Sequence, residues 1–316
     1  MSAAPRAALT IAPSRLGFGC ASLGSRVSAV AGLDALAQAF DAGVNWFDVA
    51  PAYGAGEAER LLGRFLKGRR DRAIVVTKVG IAPPERLGAI KLAYTLGRPL
   101  AARFAGLRRG FRALSATRNR HLPLTAALIE RSIEDSLRRL GVDHIDIYAL
   151  HDPDPADVAR DDVREALQRV RARGQARAVA VAGRLEACRA ALSVEAPYAM
   201  LQTSVADLAE GEPAFSTSDA LIVSHSVFGA AGSGFARLAD RLGRAPDRHR
   251  RLIAAGYDAD PSRAAAALLL DSALAGNPDG VVLASMFDPR HRVADLARAE
   301  KPAGPEALAL LAETLA

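Results

Sequence analysis

Short apolar runs alternate along this chain with stretches whose apolar residues recur every three or four positions. That alternation predicts strands and helices in turn. The runs Leu16–Cys20, Val44–Asp48, Ala73–Thr77, Ile145–Leu150, Ala178–Val181, Ala199–Gln202, Leu221–Ser224 and Val281–Ala284 predict eight buried strands. Helical spacing marks Leu33–Asp41, Glu57–Phe65, Leu128–Leu140, Val163–Arg173, Leu185–Leu192, Ser262–Leu274 and His291–Arg298. The stretch from Gln202 to Leu221 marks its helix poorly. Thr125 is placed to cap the helix after it and Gly141 to end it, and Asp260-Pro261-Ser262 opens another. Eight strands with intervening helices argue for a closed parallel barrel in one domain spanning residues 1–316. No Gly-x-Gly-x-x-Gly follows the first strand, which counts against a doubly wound dinucleotide-binding sheet.

One segment breaks the rhythm. Residues 82–124 separate the third strand from the next helix by far more than a usual connection. They carry nine arginines or lysines against the single Glu85, which exceeds the net charge of +6 for the whole chain. The high pI therefore belongs to this insertion, and nucleic-acid binding is not expected. Within it, Ile90, Leu92, Tyr94, Leu96, Leu100, Phe104, Leu107, Phe111 and Leu114 interleave with the arginines. A solvated helical hairpin packed on the barrel is the favoured reading. A lid for an anionic or lipid-linked substrate, or peripheral membrane contact through residues 86–120, is the alternative.

Half of the 316 residues are apolar and 24% are charged, as expected for a soluble globular protein. Cys20 and Cys188 give neither a disulfide framework nor a metal pattern, and no run approaches membrane-spanning length. Residues 1–14 lack the charged-then-apolar order of a secretory signal. A cytoplasmic protein is expected.

Four polar residues close, or just follow, consecutive predicted strands: Asp48, Tyr53, Lys78 and His151. Strand ends of one sense share one rim of a barrel, where catalytic groups collect. A phenol with an unperturbed pKa of about 10 is a poor acid near neutrality. A neighbouring ammonium favours the phenolate, a carboxylate can hold the ammonium, and an imidazole can orient a carbonyl. Such a set needs a hydride donor, so a nicotinamide cofactor is implied. Taken singly, each residue has an ordinary structural role, as cap, packing or solvated charge. Trp46, the only tryptophan, shares strand parity with Asp48 and is expected inside the barrel.

At these residues the chain resembles the aldo-keto reductase family. The run Asp48-Val-Ala-Pro-Ala-Tyr53-Gly54-Ala-Gly-Glu57 is similar to the family's Asp-Thr-Ala-x-x-Tyr-Gly-x-x-Glu signature. Lys78 and His151 match its other catalytic positions, and 129–150 is similar to the helix and strand before the histidine. The resemblance implies a (β/α)8 TIM barrel, catalytic Asp48, Tyr53, Lys78 and His151, no metal, and hydride exchange between NADPH and a small aldehyde, ketone or alcohol. NADH is the alternative cofactor.

The cofactor side departs from the family pattern. Ser-Asn after the fifth strand is replaced by Ala182-Gly183, whereas Gln202 matches the family glutamine. The resemblance assigns the stacking position to His225, followed by Ser226, Phe228 and Gly229, and the loop after the eighth strand to Ser285 and Met286. His291 and Asp295 fall where the family binds adenosine. Arg290 and Arg292 are the candidates for a 2′-phosphate, unless this stretch is simply a solvated helix start. Asp295 would repel such a phosphate but can accept from a free ribose. Two other functions stay open: an NAD-dependent sugar or pyridoxal-type dehydrogenase, and a non-catalytic relative that binds a partner.

Overall fold

The computed structural model describes residues 9–83, 120–194, 198–229, 232–301 and 303–315. Eight parallel strands close into a barrel in the order β1 (Leu16–Gly19), β2 (Trp46–Asp48), β3 (Ile74–Val79), β6 (Ile145–His151), β7 (Ala176–Ala182), β8 (Tyr198–Ser204), β9 (Leu221–His225) and β10 (Val281–Ala284), which pairs back onto β1. Every strand expected from the apolar runs is present. A short antiparallel pair, β4 (Ile81–Ala82) with β5 (Arg120–His121), lies at the base of the basic insertion. Its remaining residues, 84–119, fall outside the described residues, and with them the hairpin, lid and membrane expectations.

Alternation along each strand sorts side chains into two cores. Trp46, Ile74, Val76, Ile147, Ala149, Ala178, Ala180, Met200, Val223, Val281 and Leu283 fill the barrel interior, and the packed Leu9 and Ile11 join them. The opposite parity, including Phe18, Phe47, Val75, Tyr148, Leu150, Val179, Val181 and Leu201, packs outward against the helices. Each fully buried aliphatic side chain contributes roughly 1.5–3 kcal/mol.

The wall is formed by α1 (Ala29–Asp41), α2 (Ala58–Leu66), α3 (Ala126–Leu140), α4 (Pro155–Ala159), α5 (Asp161–Ala172), α6 (Leu185–Ser193), α7 (Val205–Phe215), α8 (Ser233–Arg244), α9 (Pro246–Ala254), α10 (Pro261–Ala275), α11 (Pro289–Glu300) and α12 (Pro305–Leu315). The expected caps are in place. Thr125 Oγ1 accepts from Leu128 N at 3.2 Å, Gly141 takes a left-handed turn with φ 67°, and Asp260 accepts from the amides of Ser262 and Arg263.

Among the described residues, four helices exceed the sequence expectation: α4, α8, α9 and α12. The last three pack with α10 around a satellite core of Leu238, Leu242, Leu252, Tyr257, Leu268 and Leu310. The weakly marked α7 carries Gly211 and Pro213, two poor helix formers, within eleven residues.

Candidate active site

The inward parity of the barrel ends in polar residues. Above Trp46 comes Asp48; above Ile74 and Val76, Lys78; above Ile147 and Ala149, His151; above Val223, His225. Register continues the row sideways, since His151 pairs with Ala182 and Ala182 with Gln202. Tyr53 follows β2 in a single 3₁₀ turn, Tyr53–Gly56. That turn sits close to the chain at Leu23: Gly54 has φ +61°, and a Cβ there would lie 1.9 Å from the Leu23 carbonyl oxygen.

The four catalytic candidates meet. Lys78 Nζ donates to Asp48 Oδ1 at 2.6 Å and to the Val49 carbonyl at 3.2 Å. It stands 5.1 Å from the centroid of the Tyr53 ring. The Tyr53 and His151 rings meet edge-on, with centroids 5.8 Å apart. Lys78 and Asp48 are 1% and 2% exposed, so each charge depends on the other.

Burial dominates the electrostatics. It disfavours the Lys78 ammonium, but Asp48 and Tyr53 more than restore it, and the pKa stands above the ordinary lysine value. Burial raises the Tyr53 phenol; Lys78 pulls it back down without cancelling the rise. His151 is driven well below the usual imidazole value by burial, then by Lys78, His121 and His225. It is therefore neutral at pH 7. His225 is lowered too, chiefly by burial. Cys20, against the same Asp48, is pushed up by burial and stays a thiol.

Among the described residues, three polar atoms of this rim are buried without a protein partner: Asp48 Oδ2, His151 Nδ1 and Gln202 Oε1. Leaving such an atom unpaired costs about 1–3 kcal/mol, and an ordered water or a ligand group is the usual partner of such an atom. The Gln202 carbonyl oxygen suits a carboxamide NH₂. Ala182 beside it offers no hydrogen bond from its side chain.

Around the rim, His225 Nδ1 lies 2.8 Å from Ser226 Oγ, and Ser226 adopts φ 59°. Phe228 packs edge-on against Phe235, and Gly229 turns with φ 74°. The loop after β10 is less uniform. Ser285 is exposed, whereas Met286 is fully buried and faces the core, which leaves its carbonyl to accept from Arg292.

The two candidate arginines part company. Arg292 is 3% exposed and is held by the Met286 carbonyl and Gln38, so the structure uses it to pin α11 to α1. Arg290 is on the surface, paired with Asp288 at 2.9 Å, and His291 is exposed beside it. Asp295 is half-buried, and burial raises its carboxyl to about 6.

Some charged neighbours of the site lie outside the set of candidate residues. Asp152, with φ 51° directly after His151, stands 3.9 Å from His121 and 3.7 Å from Arg184. Glu57, aligned with the signature glutamate, pairs at the surface with Arg60. The buried carboxylate of that helix is Glu59. Its signal was an acidic residue among Ala58, Leu61, Leu62 and Phe65 on the apolar face of α2.

The model of the Aldo/keto reductase family matches residues 15–252. The chain belongs to the aldo/keto reductase family. D-threo-aldose 1-dehydrogenase of Pseudomonas sp is 34% identical over 192 residues, covering 55% of this chain and 51% of that protein. Pyridoxal 4-dehydrogenase of Microbacterium luteolum is 35% identical over 151 residues, covering 46% and 41%. The matched part of the chain thus spans about half, or less, of the length of these relatives. Among solved structures, the holo form of an aldo-keto reductase from Bacillus halodurans superposes with a TM-score of 0.66 at 20% identity, covering 95% of this chain and 91% of that one. An aldo-keto reductase from Klebsiella pneumoniae in complex with NADPH gives 0.65 at 21% identity, covering 95% and 90%. At such identity the likeness carries the barrel fold alone.

Proposed function

We propose that this chain is an NADPH-dependent oxidoreductase that reduces the carbonyl of a small aldehyde or ketone, with Tyr53 as the proton donor. The observation that carries this reading is the buried Lys78–Asp48 pair set 5.1 Å from the Tyr53 ring, with His151 edge-on to the same ring. NADPH, when bound, supplies the hydride; the unpaired Gln202 Oε1 supports a carboxamide beside it.

The protein's own part is proton handling and orientation. Neutral His151 has one N–H to donate to the substrate oxygen, which fixes the carbonyl against Tyr53. The Tyr53 O–H gives its proton as charge grows on that oxygen. The Lys78 ammonium stabilises the phenolate left behind, and Asp48 keeps that ammonium charged in a dry site. The raised phenol pKa keeps Tyr53 protonated at pH 7, which favours reduction there. Reduction should fall as pH rises through the phenol pKa, and oxidation should rise.

A second reading is favoured by two relatives named as dehydrogenases, of an aldose and of pyridoxal. It is the same site run as an alcohol oxidant with NAD, Tyr53 then acting as base. Two unpaired, buried cysteines suit a reducing cytoplasm, and no helix among the described residues is long and apolar enough to cross a membrane.

The test is turnover against a carbonyl panel that includes aldoses and pyridoxal, with both cofactors and in both directions. Tyr53→Phe should lower kcat by roughly 10²–10⁴-fold and leave cofactor affinity within about twofold of wild type, since the phenol hydroxyl acts on the substrate oxygen. Full activity in that variant would end the assigned role. No turnover by wild type with any carbonyl or alcohol would favour the non-catalytic reading.

A further inference from the structure

Glu59 is a buried carboxylate that the proposed chemistry does not use. It is 1% exposed, and both its oxygens are occupied. Thr77 Oγ1, itself fully buried, donates to Glu59 Oε1 at 2.7 Å, and Arg139 Nε donates to Glu59 Oε2. Arg139 is braced in turn by Ser136 Oγ at 3.2 Å.

The two ends of the Glu59–Thr77 bond belong to two catalytic segments. Glu59 is the second residue of α2, which is separated from the Tyr53–Gly56 turn by Glu57 alone. Thr77 precedes Lys78 in β3, and successive strand residues face opposite sides. On the inner side of β3, Lys78 meets Asp48 and the Tyr53 ring. On the outer side, one residue earlier, Thr77 ties the strand to the helix that holds the Tyr53 turn.

A buried ion pair is weak support for stability, since apolar residues of like size often serve as well or better. What apolar packing does not fix is the register of helix against strand. We propose that Glu59 and Thr77 form a positioning clamp that sets the separation of the Tyr53 phenol from the Lys78 ammonium. The proposal rests on Tyr53 as proton donor. The pull of Lys78 on the phenol weakens with distance. A loosened clamp therefore raises the phenol pKa further and slows proton delivery, without touching the groups that hold cofactor or substrate.

The test is Thr77→Val, which removes the donor at near-constant volume and leaves Glu59 paired with Arg139. The Tyr53 titration is followed by NMR in protein carrying carbon-13 tyrosine, assigned by the resonance lost in Tyr53→Phe. The midpoint is expected to rise by about half a unit, roughly threefold in the protonation constant. In the turnover assay kcat is expected to fall by up to about threefold with the carbonyl KM nearly unchanged, the pattern of a lost transition-state interaction. Thr77→Ser, which restores the hydroxyl, should return both values to wild type.

Glu59→Gln is the second variant, for the case in which Thr77→Val does not fold. Its amide still accepts from Thr77 but faces Arg139 with a donor, so a smaller upward shift is expected. An unmoved Tyr53 midpoint in the folded variants would overturn the clamp, and so would a Thr77→Ser protein that behaves like Thr77→Val. The midpoint is read in the protein alone, so a lack of turnover would count against the proposed reaction and leave this test standing.

Discussion

At the scale of single residues, the candidate site departs from the expected family pattern on its cofactor side. Ala182 stands in register between His151 and Gln202, at a point where the family pattern has a hydroxyl. One neutral hydrogen bond contributes about 0.5–1.5 kcal/mol, and 1.4 kcal/mol is tenfold in affinity. Ala182→Ser should therefore tighten cofactor binding several-fold, measured by calorimetry, with little change in kcat. Unchanged affinity would mean that the hydroxyl meets no ligand group. The meeting of Asp48, Tyr53, Lys78 and His151 was legible in the sequence because their spacing tied them to strand ends. Two things were not legible. The excess of burial over the Lys78 charge at Tyr53 depends on how completely the rim is shielded from water. The retention of Arg292 by Met286 and Gln38 depends on how α11 lies against α1.

At the scale of elements, strands were read more completely than helices, for a physical reason. Strands of a parallel barrel are buried on both faces and appear as unbroken apolar runs. Helices such as α8 and α9 bury only a narrow stripe, Leu238, Leu242 and Leu252, among many arginines, and resemble solvated loop. The contact between α2 and α3 shows how tightly the wall near the site is built. A Cβ added at Gly63 would lie 2.2 Å from the Leu140 carbonyl oxygen, a backbone atom that cannot swing aside. Gly63→Ala should force α2 away from α3 and cost about 1–3 kcal/mol, read as a lower urea midpoint at unchanged m-value. Because α2 carries Glu59, kcat should fall with stability; a neutral effect on both would show that the two helices yield freely at this point.

At the scale of the molecule, one alternation organises both fold and site. The parity that puts Trp46, Val76, Ala149 and Val223 inside the barrel also delivers Asp48, Lys78, His151 and His225 to its rim. Trp46 is fully buried two residues before Asp48 on the same face of β2, roughly 7 Å below it by strand geometry. The sole tryptophan is thus a built-in reporter for the proposed nicotinamide site. The purified protein would be titrated with NADPH and, separately, NADH, following tryptophan emission and energy transfer to the reduced nicotinamide. Saturable quenching by NADPH, stronger than by NADH and preserved in Tyr53→Phe, is the predicted result. No saturable change with either cofactor, together with no binding heat in calorimetry, would contradict it.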